Sequence, residues 1–321
     1  MIQPEVNGPS PTDRLGYDGE LSNLVDDIAS AYGIGNVEKF NAIEVGYEDC
    51  NVAIKTESGK YVAKIFAKTR TPDDIERYAT IMQKVVKAGV NHPELLSTSQ
   101  SSSVFAANGV SAVLMRFVEG KTFYELDRAP DDAERQAVLE QIKRVGGINY
   151  QPTYLFDSWA IPNIRAMLDK VRQFVASEDL QLAEQVVELY EAIPVDTLPH
   201  AFVHGDCTKA NVMKGDDGKI YVFDFSVANW YPRIQELAVI VANLLHDKTD
   251  TRSLQETCQI VISEYSSLTD EERQYLPVYA LAGIVMEFLG AHQEKYINGI
   301  DNDENNYWMK LGREGLRKAL G

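Results

Sequence analysis

A chain of 321 residues with 45% hydrophobic and 25% charged side chains has room for two lobes or one large α/β unit, and its ordinary composition excludes a disordered or fibrous protein. Its formal charge of −17 opposes binding to a nucleic-acid backbone or an anionic membrane, and no local basic patch overrides that balance. Three widely separated cysteines, Cys50, Cys207 and Cys258, make neither a disulfide framework nor a CxxC zinc pattern, so a reducing compartment, the cytoplasm, is expected.

The first fifteen residues, MIQPEVNGPSPTDRL, lack the basic start and apolar core of an export signal. Residues 19–34 carry apolar positions at helical spacing with Gly33 as a stop, which predicts a leading helix. Val52 and Ile54, a TESGK turn, then Tyr61, Val62, Ile65 and Phe66 predict a β-hairpin. Thr71 as N-cap, Pro72 in the first turn and Gly89 as terminator mark a second helix. Asn108–Gly109 is a turn dipeptide between two further short strands.

After Gly120 the period becomes helical, over about 131–195 with the loop GGINYQPTYLFDSW between helices, and again over 234–246, 253–266, 271–294 and 304–319. The exception is 199–226, read as a loop, a short strand, a GDDGK turn and a second short strand. The stretch YLPVYALAGIVMEFLGA is interrupted by Pro277 and Glu287, which predicts a buried helix and no membrane span. The fold class expected is therefore α+β: a small antiparallel sheet lobe over 1–118 that includes the leading helix and one main helix, and a larger, mostly helical lobe over 119–321. The acidic runs DDAERQ and DNDENN read as solvated surface.

The chemistry is densest in HGDCTKANV, His204–Val212, and in VFDF, which ends at Phe225. A Cys207–His204 nucleophilic pair is a weak reading, because catalytic Cys and His usually meet from distant positions, and Cys207 reads better as a small apolar filler. Five histidines scattered at 92, 200, 204, 246 and 292 do not assemble a zinc site. Asp206, Asn211 and Asp224 read differently, as hard oxygen ligands and a base: magnesium takes few protein oxygens plus substrate phosphates, and phosphoryl transfer needs a carboxylate on the attacking hydroxyl. A hairpin between Asn211 and Asp224 delivers the two side by side.

These residues together, HGD-x4-N followed by a strand ending in DF, resemble the aminoglycoside and choline phosphotransferase superfamily, small-molecule kinases with a protein-kinase-like bilobal fold. The resemblance covers roughly 40–300. It implies Asp206 as catalytic base, Asn211 and Asp224 as Mg²⁺ ligands on ATP, and His204 as a brace of the loop. In the amino-terminal, nucleotide-binding lobe it implies Lys64 of YVAKIF on the phosphates, Glu76 as the ion-pair partner of Lys64, and Gly46 in the phosphate-covering turn. Backbone groups of Arg116, Phe117 and Val118 are implied at the adenine edge. Glu236, where many members have Asp, reads as structural. The partner implied is a small molecule bearing a hydroxyl: an amino alcohol, an aminoglycoside, homoserine or a sugar. Segments around Asp157 and Trp159, Glu287, and Trp308 are the candidates for its pocket. The readings set against this are an atypical protein serine/threonine kinase and a non-catalytic nucleotide-binding pseudokinase. The absent G-x-G-x-x-G and the short run between Asp224 and Glu236 count against the first; the complete set of site residues counts against the second. The sequence sets no oligomeric state.

Overall fold

The structure is a computed structural model that describes residues 11–43, 49–247 and 249–320. The chain divides into two compact units, one of Pro9–Val86 and His92–Glu119 and one that contains Lys87–Asn91 and Gly120–Gly321.

The first unit is the sheet lobe. Helix α1 (Leu21–Tyr32) ends where Gly33 adopts φ +64° and returns its N–H to the carbonyls of Ala29 and Ser30; that left-handed cap is the reason the residue is glycine. Strands β1 (Val37–Ile43), β2 (Cys50–Thr56) and β3 (Gly59–Ile65) follow, then α2 (Pro72–Lys87), β4 (Phe105–Ala107) and β5 (Val110–Arg116). All five strands form one sheet of order β1-β2-β3-β5-β4, and every neighbouring pair is antiparallel. The TESGK turn pairs Thr56 with Gly59. The Asn108–Gly109 turn takes φ +55° and +76°, the left-handed pair that a tight hairpin requires. Leu24, Val25 and Ile28 of α1 bury against Val52, Ile54, Tyr61, Ala63, Ile65 and Leu114 to make the core of this unit. Helix α2 opens on a reciprocal cap: the Asp74 N–H donates to Thr71 Oγ1 and the Thr71 N–H to Asp74 Oδ2.

The second unit is the helical lobe. In chain order it contains β6 (Gly120–Thr122), α3 (Asp132–Gly146), α4 (Ile164–Val171), α5 (Ser177–Glu191), β7 (His200–Val203), β8 (Val212–Gly215), β9 (Ile220–Val222) and β10 (Asn229–Pro232). Helices α6 (Ile234–Val239), α7 (Leu254–Glu264), α8 (Asp270–Tyr296) and α9 (Asp303–Leu320) complete it. Capping boxes at Asp131, Ser253 and Thr269 start α3, α7 and α8, each satisfying orphan N–H groups of its first turn.

Helix α8 is the scaffold, packed on by α4, α5, α6, α7 and α9. Among the described residues it is the one helix long and apolar enough to cross a membrane, and 72% of its apolar stretch is buried inside the unit. Three short strands depart from the sequence expectation. β7 lies in the stretch expected as loop, and β6 and β10 were not anticipated; β6 pairs with β8, and β10 pairs with β7. The helix expected over 234–246 leaves α-geometry after Val239, and Ile240–Leu244 is a π turn.

Candidate active site

The loop between β7 and β8 begins with His204, which is fully buried. Its Nδ1 accepts the Asp206 N–H at 3.1 Å, so Nε2 carries the proton and donates to the Phe223 carbonyl at 3.0 Å. Burial lowers its pKa to about 4. A neutral imidazole with both nitrogens committed is a brace, not a proton donor. Glu236 of α6 secures the same loop from the other side: Oε2 accepts the His204 N–H at 2.5 Å and the Gly205 N–H at 3.2 Å. Burial pushes the Glu236 carboxyl up to about 7, against the effect of those two donors.

So held, the loop presents Asp206 half-buried. Asn211 Nδ2 donates to Asp206 Oδ2 at 2.6 Å and to its backbone carbonyl at 3.0 Å. The β8–β9 hairpin then brings in the second carboxylate. Val212 pairs with Val222, and the Phe223 N–H donates to the Asn211 carbonyl at 3.1 Å, placing Asp224 one residue beyond Asn211's partner. Asp224 adopts φ +67°, a conformation that disfavours side chains and recurs at functional positions. Its Oδ1 accepts the Ser226 hydroxyl at 2.6 Å. The helical unit therefore brings Asp206, Asn211 and Asp224 together, by the hairpin the sequence suggested. Cys207, between them, is fully buried, and burial first, then Glu236 and Asp206, push its thiol well up. Such a thiol is inert.

Two further acids converge on this centre, one from the loop before α4 and one from α8. The Asp206 pKa is raised well above the carboxylate range, first by burial, then by the charges of Glu287, Asp224 and Asp157, with the Thr208 hydroxyl opposing. Glu287 is itself pushed up to about 7 by burial. Asn243, in the π turn, accepts the Lys209 N–H at 2.9 Å and donates to Glu287 Oε1 at 2.6 Å, fixing that acid relative to the loop. Thus the segments around Asp157 and Glu287 reach the centre, whereas Trp308 is 5% exposed and packs on Tyr124 and Tyr307. The roles of Asp157 and Glu287 carry no spacing signal in the sequence; only the fold joins them to Asp206.

In the sheet unit, β3 points Lys64 into the interior, where Nζ lies 3.0 Å from Asp49 Oδ2. The expected ion pair with Glu76 is not formed. Glu76 is solvent-exposed, because α2 turns Arg77, Tyr78, Ile81, Met82 and Val85 inward. Gly46 lies outside the described residues. At the end of β5 the Arg116 N–H donates to the Glu94 carbonyl and the Phe117 N–H to the Lys60 carbonyl. The Arg116 and Phe117 N–H groups are therefore engaged within the unit. The Arg116 guanidinium pairs with Glu94 at 2.5 Å.

Among the described residues no three His, Cys, Asp or Glu side chains form a metal-ligand group. The pair Asn211 and Asp224 nonetheless fits magnesium, since it offers two hard oxygens on adjacent positions of a hairpin, and Mg²⁺ completes its shell with water and phosphate.

The chain is similar to known proteins in sequence and in fold. The profile of the family described as "Phosphotransferase enzyme family" matches residues 39–268. Among curated relatives, the homoserine kinase of Rhodopseudomonas palustris is 23% identical over 85% of this chain and 84% of its own. That of Zymomonas mobilis is 21% identical over 95% and 97%. In fold, an amicoumacin kinase solved with AMP-PNP, Ca²⁺ and Ami superposes with a TM-score of 0.65 at 14% identity, covering 94% of this chain and 93% of that one. A spectinomycin phosphotransferase reaches 0.68 at 11% identity, covering 93% and 98%, and a choline kinase from Streptococcus pneumoniae 0.64 at 11%, covering 93% and 99%.

Proposed function

The chain belongs to the phosphotransferase enzyme family, and from that membership we propose that it transfers the γ-phosphoryl group of ATP to the hydroxyl of a small amino alcohol or hydroxy amino acid such as homoserine, with Asp206 as base. Asp206 takes the proton of the acceptor hydroxyl as the oxygen bonds to the γ-phosphorus and ADP leaves. Asn211 orients the carboxylate through its 2.6 Å hydrogen bond. Asn211 and Asp224 would hold Mg²⁺, which neutralises charge on the phosphates when bound. Lys64, in the other unit, would bind ATP phosphates, as would backbone groups of the Arg116–Val118 segment the adenine.

The choice of acceptor rests on the acids that act on Asp206: Glu287, tied to the loop of Asp206 through Asn243 and the Lys209 N–H, and Asp157, whose charge also raises the Asp206 pKa. Carboxylates beside the base favour an acceptor whose ammonium offsets their mutual repulsion and disfavour a neutral sugar. The curated relatives at 21–24% identity, all homoserine kinases among those compared, support the same class. No observation favours a protein substrate: β10 and α6 follow Asp224 at Asn229 and Ile234, leaving no run for an extended activation segment. Three buried free thiols suit a reducing, cytoplasmic setting.

The test is acceptor-dependent ADP formation across homoserine, choline, ethanolamine, aminoglycosides and neutral hexoses. We expect turnover confined to amine-bearing acceptors, and a fall of about 10²–10⁴ in kcat for Asp206→Asn. A hexose as preferred acceptor would refute the acceptor class, and a near-normal rate in the Asn variant would refute the base.

A further inference from the structure

The Lys64 ammonium is placed by a residue that stands outside the helix on which its partner was expected. Asp49 immediately precedes β2, whose register sets Asn51 opposite Lys64. Both side chains are deeply buried, 5% exposed for Lys64 and 1% for Asp49. The Asp49 carboxylate is held from two further directions: Oδ1 accepts the Ala67 N–H at 3.0 Å, and the Arg70 guanidinium lies 3.5 Å from both oxygens. Arg14 Nη1 reaches its backbone carbonyl at 3.4 Å. On the α2 side, Lys64 Nζ meets the Tyr78 ring, 5.8 Å from its centroid, so the helix presents an aromatic face where an acid was expected.

We propose that Asp49 is the positioning residue of the phosphate-binding lysine, holding the Lys64 ammonium charged and aimed, the task the sequence pattern assigns to Glu76. This rests on the reading that Lys64 serves ATP. A carboxylate fixed on three sides and buried is a rigid anchor, whereas the exposed Glu76 is neither near nor desolvated enough to be one. An ammonium carries three protons, so it can donate to Asp49 and to phosphate oxygens together. Without the Asp49 charge, a buried lysine either shifts toward its neutral form or turns away.

The test is a double-mutant cycle on the full chain: wild type, Asp49→Asn, Lys64→Met and the double variant, with Glu76→Gln alongside. Two quantities are read, ATP affinity by calorimetry and KM for ATP against kcat in acceptor-dependent ADP formation. Loss of a charge-assisted buried hydrogen bond predicts an ATP dissociation constant and KM raised about tenfold or more in Asp49→Asn. The same substitution should cost nothing further once Lys64 is methionine, because it acts through that residue; Glu76→Gln should change affinity by less than about twofold. Wild-type affinity in Asp49→Asn, an equal loss in the Lys64→Met background, or a larger loss from Glu76→Gln each overturns the inference while leaving Lys64 in its role. Lys64→Met with unchanged ATP affinity and turnover instead removes the reading of Lys64 itself, and this inference with it. Should Asp49→Asn fail to fold, Asp49→Glu enters the same cycle: it keeps the charge but displaces it by one methylene, and unaltered affinity would again overturn the proposal.

Discussion

Glu236→Gln tests how the loop bearing Asp206 is held. Glu236 is 3% exposed; one oxygen takes two backbone N–H groups, and Oε1 has no hydrogen-bond partner among the described residues. Burial raises its pKa from the usual 4.5 to about 7. A carboxyl whose pKa is higher in the folded state than in the unfolded one favours folding when protonated. Its contribution is complete below pH 4.5 and is lost as pH rises through 7. Two and a half pH units at ~1.36 kcal/mol each amount to ~3.4 kcal/mol, of which ~2 kcal/mol falls between about pH 5.5 and 8.5. Glutamine keeps an oxygen for the His204 and Gly205 N–H groups and does not titrate. Its amide also buries an unpaired N–H, an offset that does not vary with pH.

Urea unfolding followed by tryptophan fluorescence suits the measurement, because Trp159, Trp230 and Trp308 all belong to the helical unit. Subtracting the variant from wild type cancels the titration of Asp206 and Glu287. The difference should move by ~2 kcal/mol toward the variant from about pH 5.5 to 8.5. A difference flat across that range would refute the account of Glu236 as a carboxyl charged at a cost.

Two other substitutions test neighbouring claims. Glu287→Gln removes the largest charge acting on Asp206; this lowers the Asp206 pKa, so the acidic limb of the kcat–pH profile should move to lower pH while KM for an amine-bearing acceptor rises. An unmoved limb would disconnect Glu287 from the base. Gly312→Ala should destabilise the helical unit by about 1–3 kcal/mol in thermal or urea unfolding, since a Cβ there would lie 2.6 Å from the Phe288 backbone nitrogen where α9 packs on α8.

What the sequence displays locally is what folds as read. The Thr71 cap, the Gly33 stop, the Asn108–Gly109 turn and the alternation through Val52 and Ile54 each act over a few residues, and each is found in place. β6, β7 and β10 are three or four residues long, too short to show a period, and exist because tertiary partners pair with them. The π turn at Ile240–Leu244 lies in an apolar run that an α-helix fits equally well, and it contains Asn243, which meets Lys209 and Glu287. Asp206, Asn211 and Asp224 were legible because one loop and one hairpin contain them all. Asp157 and Glu287 approach Asp206 from segments far apart in the chain, where no spacing rule applies.

Glu76 is the instructive exception, because its position could have been argued from the helix itself. Side chains on an α-helix advance about 100° per residue, so Glu76 stands about 200° from Tyr78 and about 180° from Val85. The apolar positions of α2, Tyr78, Ile81, Met82 and Val85, are buried together, and a residue opposite that stripe faces water. Chain order placed an acid-bearing helix after a strand lysine, as the kinase pattern does; helical phase denied the acid access to it. The lysine still required a counter-charge, since a buried ammonium without one is costly. Asp49, adjoining the neighbouring strand and within hydrogen-bond reach, supplies it. Motif order identifies which charges a site needs, and the rotation of each element decides which residue provides them.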